Sequence, residues 1–299
     1  MQIEWNGVLF IAATQFLPDE SLGLEATQRN VETLIAAGAG GIVVLGRFGE
    51  IMSLTRVERR RVVEATKEVV RGRVPLLSGC IETSPHDAFA YAREMERLGV
   101  DGLMATPLLG YPPKREEAVH YFRLLARASG LPIMIYNEPT GYGVDLTPDL
   151  LLQLAEQPTV VAIKESTEKT NRVTDILRAC GDRFRIFCGA DQIILESMLV
   201  GCHGWVCALG NPFPEEAVRL VQLAQAERYV EARALARWMQ PVLNLDARPT
   251  FVQCGKLAMQ VTGHGAEMVR TPLLPLTGAE REEVIGVTEQ VLAARPALR

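Results

Sequence analysis

A glycine that ends one helix, followed three residues later by a glycine that opens an apolar run, recurs along this chain and restricts the folds open to it. Gly38 and Gly41, Gly99 and Gly102, and Gly201 and Gly204 each give Gly-x-x-Gly ahead of such a run. Glycine enters the left-handed backbone of a helix C-terminus without strain, so each pair marks a passage from helix to strand. The pairs stand 61 and 102 residues apart, close to two and three times a period of about 30 residues, the size of one strand-helix unit.

The segments between these pairs fit the same unit. Strands are expected at Val8–Thr14, Gly41–Leu45, Pro75–Gly79, Gly102–Ala105, Pro132–Asn137, Val160–Lys164, Phe184–Cys188 and Gly204–Cys207. Helices are expected at Leu24–Ala37, Lys114–Ser129, Asn171–Ala179, Ile193–Val200 and Phe213–Ala224, with others opening after Thr55, Ser84 and Thr147. Thr55-Arg56-Val57-Glu58 reads as a capping box, and Ser84-Pro85 as a cap with proline in the first turn. Eight strands alternating with eight helices predict an α/β fold, a closed (β/α)8 TIM barrel, over residues 1–226. An open doubly wound sheet is the alternative, without the Gly-x-Gly-x-x-Gly that usually accompanies it. Residues 227–299 carry only helical patterns, at Arg228–Met239, Phe251–Thr262 and Ala279–Ala294, the last behind a capping box at Thr277-Gly278-Ala279-Glu280. They are expected to form a C-terminal helical region packed on the barrel.

Composition narrows the partners. A net charge of -5 without a basic block argues against nucleic acid and anionic membranes. The start of the chain lacks a basic segment before its short apolar run, and no apolar stretch reaches the ~18 residues of a membrane span. The six cysteines and four histidines (His86, His120, His203 and His264) show no metal-ligand spacing, so no metal is expected. A cytoplasmic protein with reduced thiols is expected.

The strand Val160-Val161-Ala162-Ile163 ends in Lys164. Burial disfavours the charged amine, so a lysine here is drawn toward the form that attacks a carbonyl and makes a Schiff base. Read from the strand alone, an ion pair with Glu165 serves equally well. Tyr136 ends the preceding strand, about 4.8 Å away, where a phenol can shuttle the proton that a carbinolamine must gain and lose.

Gly46-x-x-Gly49-Glu50, Tyr136-Asn137-x-Pro139, Ile163-Lys164-Glu165-Ser166 and Phe187-Cys188-Gly189-Ala190-Asp191 together resemble the dihydrodipicolinate synthase and N-acetylneuraminate lyase family, in order over nearly the whole chain. The resemblance implies a barrel with C-terminal helices, assembled as a homodimer or homotetramer. It implies a small 2-oxo acid substrate held as a covalent lysine imine, with no metal and no organic cofactor. Lys164 would be the Schiff-base lysine and Tyr136 the acid/base phenol. The Gly46–Glu50 loop would seat a carboxylate through its backbone amides, with Arg47 adding charge, and Ser166, Gly189 and Val206 would line the pocket.

Departures from the synthase pattern point to a different reaction. Arg47 and Phe48 replace its two hydroxyl residues, and Phe48 relays no proton. Thr106-Pro107 continues as Leu108-Leu109 instead of two tyrosines, with Tyr111 two residues late, so Phe48, Leu108 and Leu109 are expected to make the pocket more apolar. Thr140-Gly141-Tyr142-Gly143 lacks the arginine that meets a second carboxylate, and Leu109 and Tyr142 are expected among the residues that bind the substrate. Leu245-Asp246-Ala247-Arg248-Pro249 with Val252–Leu257 is similar to the 1-pyrroline-4-hydroxy-2-carboxylate deaminase branch, although helix packing and a surface ion pair explain that segment too. Phe48-x-Glu50 with Leu54-Thr55 and Glu58-Arg59 resembles 2-keto-3-deoxy sugar acid dehydratases. The expectation is a Schiff-base lyase working by aldol cleavage, dehydration or deamination. A barrel that has lost catalysis and serves as a ligand sensor or scaffold is the alternative of another class.

Overall fold

The computed structural model describes residues 5–297, so the first four and last two residues of the expected domains lie outside the described residues. Eight parallel strands close into one barrel in chain order: β1 (Gly7–Ile11), β2 (Gly41–Val44), β3 (Leu76–Cys80), β4 (Gly102–Ala105), β5 (Ile133–Asn137), β6 (Val160–Glu165), β7 (Arg185–Cys188) and β8 (Gly204–Cys207). The seam is made by β1 and β8, with Leu9 opposite Val206. Helices α1 (Leu24–Ala36), α2 (Arg56–Val70), α3 (Pro85–Leu98), α4 (Arg115–Ala128), α5 (Pro139–Tyr142), α6 (Pro148–Leu154), α7 (Thr170–Cys180), α8 (Ile194–Leu199) and α9 (Pro214–Gln225) form the outer ring. The expected TIM barrel is therefore present, with one short extra helix, α5, between β5 and β6. α10 (Tyr229–Leu243), α11 (Phe251–Thr262) and α12 (Gly278–Ala293) follow and pack on one another and, through α10, on α9.

The two glycines of each pair do different work. Gly99 closes α3 at φ +72°, and three residues later Gly102 opens β4 where a Cβ would lie 2.4 Å from the Trp5 ring. The first position demands left-handed backbone and the second demands space, so neither tolerates a side chain. Thr55 and Glu58 form the expected capping box. The one expected at Thr277 does not form: Glu280 accepts a hydrogen bond from Thr250 of the neighbouring segment, and Thr277 caps nothing with its side chain. Ser84 likewise makes no side-chain cap, although Pro85 does occupy the first turn of α3. β1 ends at Ile11, three residues short of the expected Thr14, because Thr14 turns its hydroxyl onto the Gly49 carbonyl at 2.7 Å.

One ion pair ties the C-terminal region to the barrel from inside. Lys256 of α11 donates to Glu50 at 2.6 Å and to the Thr14 carbonyl at 2.8 Å, with both side chains of the pair fully buried. The second Glu50 oxygen accepts from the Arg270 amide at 2.9 Å. A buried pair adds little net stability, but removing one member strands the other charge. Lys256→Met is accordingly expected to destabilise the fold by about 3–5 kcal/mol, read as a fall in the urea midpoint that Glu50→Gln in the same chain partly reverses. An unchanged midpoint would show that the pair contributes no stability.

Candidate active site

Side chains along a strand alternate between faces, and in β6 this rule separates Lys164 from Glu165. Glu165 turns away from the barrel interior and accepts hydrogen bonds from Asn137 at 3.0 Å and the Thr167 amide at 2.8 Å. The lysine-glutamate ion pair that the strand alone allowed is absent among the described residues. Lys164 instead faces inward beside Tyr136, its register partner on β5, with Nζ 3.8 Å from the centre of the tyrosine ring. Only 3% of Lys164 is exposed, and its Nζ donates no hydrogen bond among the described residues. Burial pushes its pKa below the ordinary lysine value, against the opposing pull of Asp246, Glu138 and Asp191. Cation-π contact offsets part of the desolvation without offering the amine a proton acceptor.

The amine opens onto a cavity of about 320 Å³ at the C-terminal ends of the strands, where catalytic groups of such barrels gather. Gly189, after β7, leaves the room for it: a Cβ there would stand 2.1 Å from Ser166 Oγ and 2.6 Å from Lys164 Cγ. Ser166 Oγ, buried on the same wall, has no hydrogen-bond partner among the described residues. Val206 of β8 and Ile11 of β1 supply the apolar floor.

Across the mouth, Arg47 and Glu138 join the loops after β2 and β5. Arg47 Nη1 meets both carboxylate oxygens, at 2.6 and 2.7 Å, and its guanidinium lies 5.0 Å from the Phe251 ring centre of α11. Arg47 is half-exposed, with its Nη1 engaged by Glu138. The Tyr136 hydroxyl faces the same carboxylate. Burial, Tyr142 and Glu138 raise the Tyr136 pKa well above the ordinary phenol value, so the residue stays a phenol at neutral pH. Backbone amides of Arg47, Phe48 and Gly49 donate no hydrogen bond among the described residues, while Glu50 N turns back onto the Arg47 carbonyl at 2.9 Å. Successive free amides at the end of a strand suit an anion. Phe48 is fully buried against α11, where Gly255 must be glycine because a Cβ would come 2.5 Å from its ring.

Of the residues expected from the sequence, Arg47, Phe48, Tyr136, Lys164, Ser166, Gly189 and Val206 line one cavity. Gly46, Gly49, Leu109 and Tyr142 do not. Gly46 sits behind the wall, where a Cβ would meet Ile11 at 2.8 Å, and the Gly49 carbonyl is held by Thr14. Tyr142 packs edge-on against Tyr136, ring centres 5.3 Å apart, and so backs the phenol. Leu109 is drawn toward β3 by its amide bond to the Glu82 carbonyl at 3.2 Å, and Leu108 lines a separate surface groove with the exposed Tyr111. The leucine pair therefore does not make this cavity apolar.

Glu138 carries no sequence signal of its own, Asp191 is visible only as the end of a motif, and Asp246 lies in a segment that resembles the deaminase branch and fits helix packing as well. Asp191 is buried and accepts from the Trp205 indole at 2.7 Å and the Ala208 amide at 3.1 Å. Asp246 lines the cavity, while its neighbour Arg248 makes the expected surface pair, with Glu283. All six cysteines are free, five of them buried. Among the described residues no cluster of three or more His, Cys, Asp or Glu side chains is arranged to hold a metal, and no helix is long and apolar enough to cross a membrane.

Comparison with known proteins agrees with this geometry. Residues 4–291 match the model of the dihydrodipicolinate synthetase family. The chain is 32% identical to the 4-hydroxy-tetrahydrodipicolinate synthase of Pelobacter propionicus, over 95% of this chain and 97% of that protein. It is 32% identical to the enzyme of the same name from Geotalea daltonii, over 87% of this chain and 90% of that protein. A dihydrodipicolinate synthase structure from Bacillus anthracis superposes with a TM-score of 0.90 at 28% identity, covering 96% of this chain and 99% of the other. The chain therefore belongs to the dihydrodipicolinate synthetase family and is a lyase-type enzyme built on a closed (β/α)8 barrel.

Proposed function

We propose that this protein is a Schiff-base lyase for a small 2-oxo acid, or a cyclic imine equivalent, with Lys164 as the nucleophile. The observation that carries this reading is the buried Lys164 amine, 3.8 Å over the Tyr136 ring, without a hydrogen-bond acceptor among the described residues and lining the cavity. A desolvated amine is held nearer its neutral, attacking form, and the imine it makes with C2 draws electrons from C3. Tyr136 would pass protons between the substrate and Glu138. That carboxylate takes the place of the hydroxyl relay that Phe48 cannot provide. The free amides of Arg47 and Phe48, both at the cavity wall, would hold the C1 carboxylate. No metal or organic cofactor enters this scheme, since the covalent imine is the electron sink. Homodimer or homotetramer assembly belongs to the same proposal. A sensor barrel would need neither a desolvated amine nor a phenol beside it, so the pair supports an enzyme.

Imine formation makes the C3 protons of the substrate acidic. In deuterated buffer the enzyme is expected to exchange the methyl protons of pyruvate, followed by proton NMR, well above the buffer rate. Exchange no faster than buffer, with pyruvate and with longer 2-oxo acids, would contradict the proposal.

A further inference from the structure

Lys164 shares its cavity with two candidate proton carriers. Tyr136 is its register partner on β5, and Asp246, carried by the turn between α10 and α11, lines the same cavity next to Asp191. One Asp246 oxygen, Oδ2, is pinned by the Asp191 amide at 3.0 Å. The other, Oδ1, accepts no hydrogen bond among the described residues, and the half-buried residue lines the cavity that Lys164 also lines. Lys164, Tyr136, Asp191 and Asp246 all line this one cavity. A carboxyl fixed through one oxygen in the wall of a cavity, with the other left without a partner among the described residues, is placed to act on a bound molecule.

We propose that Asp246 is the catalytic acid that protonates a hydroxyl leaving from C4 of a 2-oxo acid held on Lys164, making the enzyme a dehydratase. This rests on the Schiff-base reading above. Lys164 adds to C2 and expels water, giving a protonated imine. The C3 proton leaves through Tyr136 to Glu138, giving an enamine. Its electron pair becomes the C3–C4 double bond as the C4–O bond breaks. The Oδ1 proton of Asp246 joins the departing oxygen as water. Hydrolysis of the unsaturated imine frees Lys164, Glu138 gives the C3 proton up to solvent as Asp246 takes one back, and the net change is loss of one water.

Three reactions share the imine, and the state of the acid separates them. Aldol cleavage needs a base at the C4 hydroxyl, and a departing amine already carries its proton, whereas a departing hydroxide needs an acid. Burial first, and the neighbouring Asp191 second, push the Asp246 carboxyl up to about 8, against the pull of the Asp191 amide and of Lys164. Glu138 pushes it up further, and Arg47, Glu168 and Arg248 are the remaining charged side chains of the cavity. The carboxyl is thus protonated at neutral pH, able to give a proton and unsuited to take one.

The test uses pyruvate, 4-hydroxy-2-oxobutanoate and a 3-deoxy-2-oxopentonate with the wild-type enzyme and Asp246→Asn, which keeps an oxygen for the Asp191 amide but has no acidic proton. Wild type is expected to release the unsaturated acid from at least one of the two hydroxy acids, seen by NMR, with a rate that falls as pH rises through about 8. Asp246→Asn is expected to form the borohydride-trapped pyruvate adduct yet lose water elimination by about 10²- to 10⁴-fold, without that alkaline fall. A wild type that traps the hydroxy acids on Lys164 but eliminates no water, or splits them to pyruvate and an aldehyde, overturns the proposal. Elimination by Asp246→Asn at the wild-type rate overturns it as well. Failure of wild type to trap pyruvate at all removes the Schiff-base reading instead, and this inference with it.

Discussion

Lys164→Ala is expected to fold as the wild type does and to lose turnover by on the order of 10⁴-fold or more, because it removes the only atom that joins the substrate covalently. Lys164→Arg is expected to lose as much, although it keeps the charge and most of the volume. A guanidinium does not deprotonate and so cannot add to C2. The wild-type rate of adduct formation should also follow the lysine. Burial lowers the Lys164 pKa, so the free amine appears at lower pH than for an exposed lysine, and trapping by borohydride should quicken as pH rises through that depressed value. Steady-state kinetics and circular dichroism read both variants, and an active Lys164→Arg would contradict the role assigned to the amine.

Tyr136→Phe is the second large effect. It deletes one oxygen and leaves the ring that supports Lys164 at 3.8 Å and packs against Tyr142 at 5.3 Å. Turnover is expected to fall by about 10²- to 10⁴-fold, with KM little changed. Slow accumulation of the trapped adduct should persist, because amine attack is hindered but not abolished when the proton has no relay. If kcat is unchanged, the relay from Tyr136 to Glu138 does not operate, and the phenol is a packing residue.

Both residues could be read from sequence because each ends a local apolar run, and adjacent strands of a parallel barrel bring such ends together. The strands were legible for the same reason: their apolar runs and glycine pairs are local. Longer-range partners were not legible. Arg47 and Glu138 are 91 residues apart, and nothing near either announces the other. Asp191 and Asp246 are 55 apart, and the second arrives from a helical segment whose sequence fits a family branch and plain packing alike, with nothing local to say that it reaches the cavity. Loop residues were misplaced where a neighbour redirected the chain, as Thr14 does at Gly49 and Glu82 at Leu109. Thr277 shows the same limit at a cap, since Glu280 bonds to Thr250, a residue outside the local pattern.

The protein contains two deeply buried lysines, and they make the most direct test of the central claim. Lys256 is committed to Glu50 and the Thr14 carbonyl, away from the cavity, whereas Lys164 opens onto it without an acceptor. Peptide mapping by mass spectrometry after incubation with pyruvate and borohydride should find the added three-carbon group on the peptide carrying Lys164 and none on the peptide carrying Lys256. An adduct on Lys256 or on surface lysines, with Lys164 unmodified, would contradict the account.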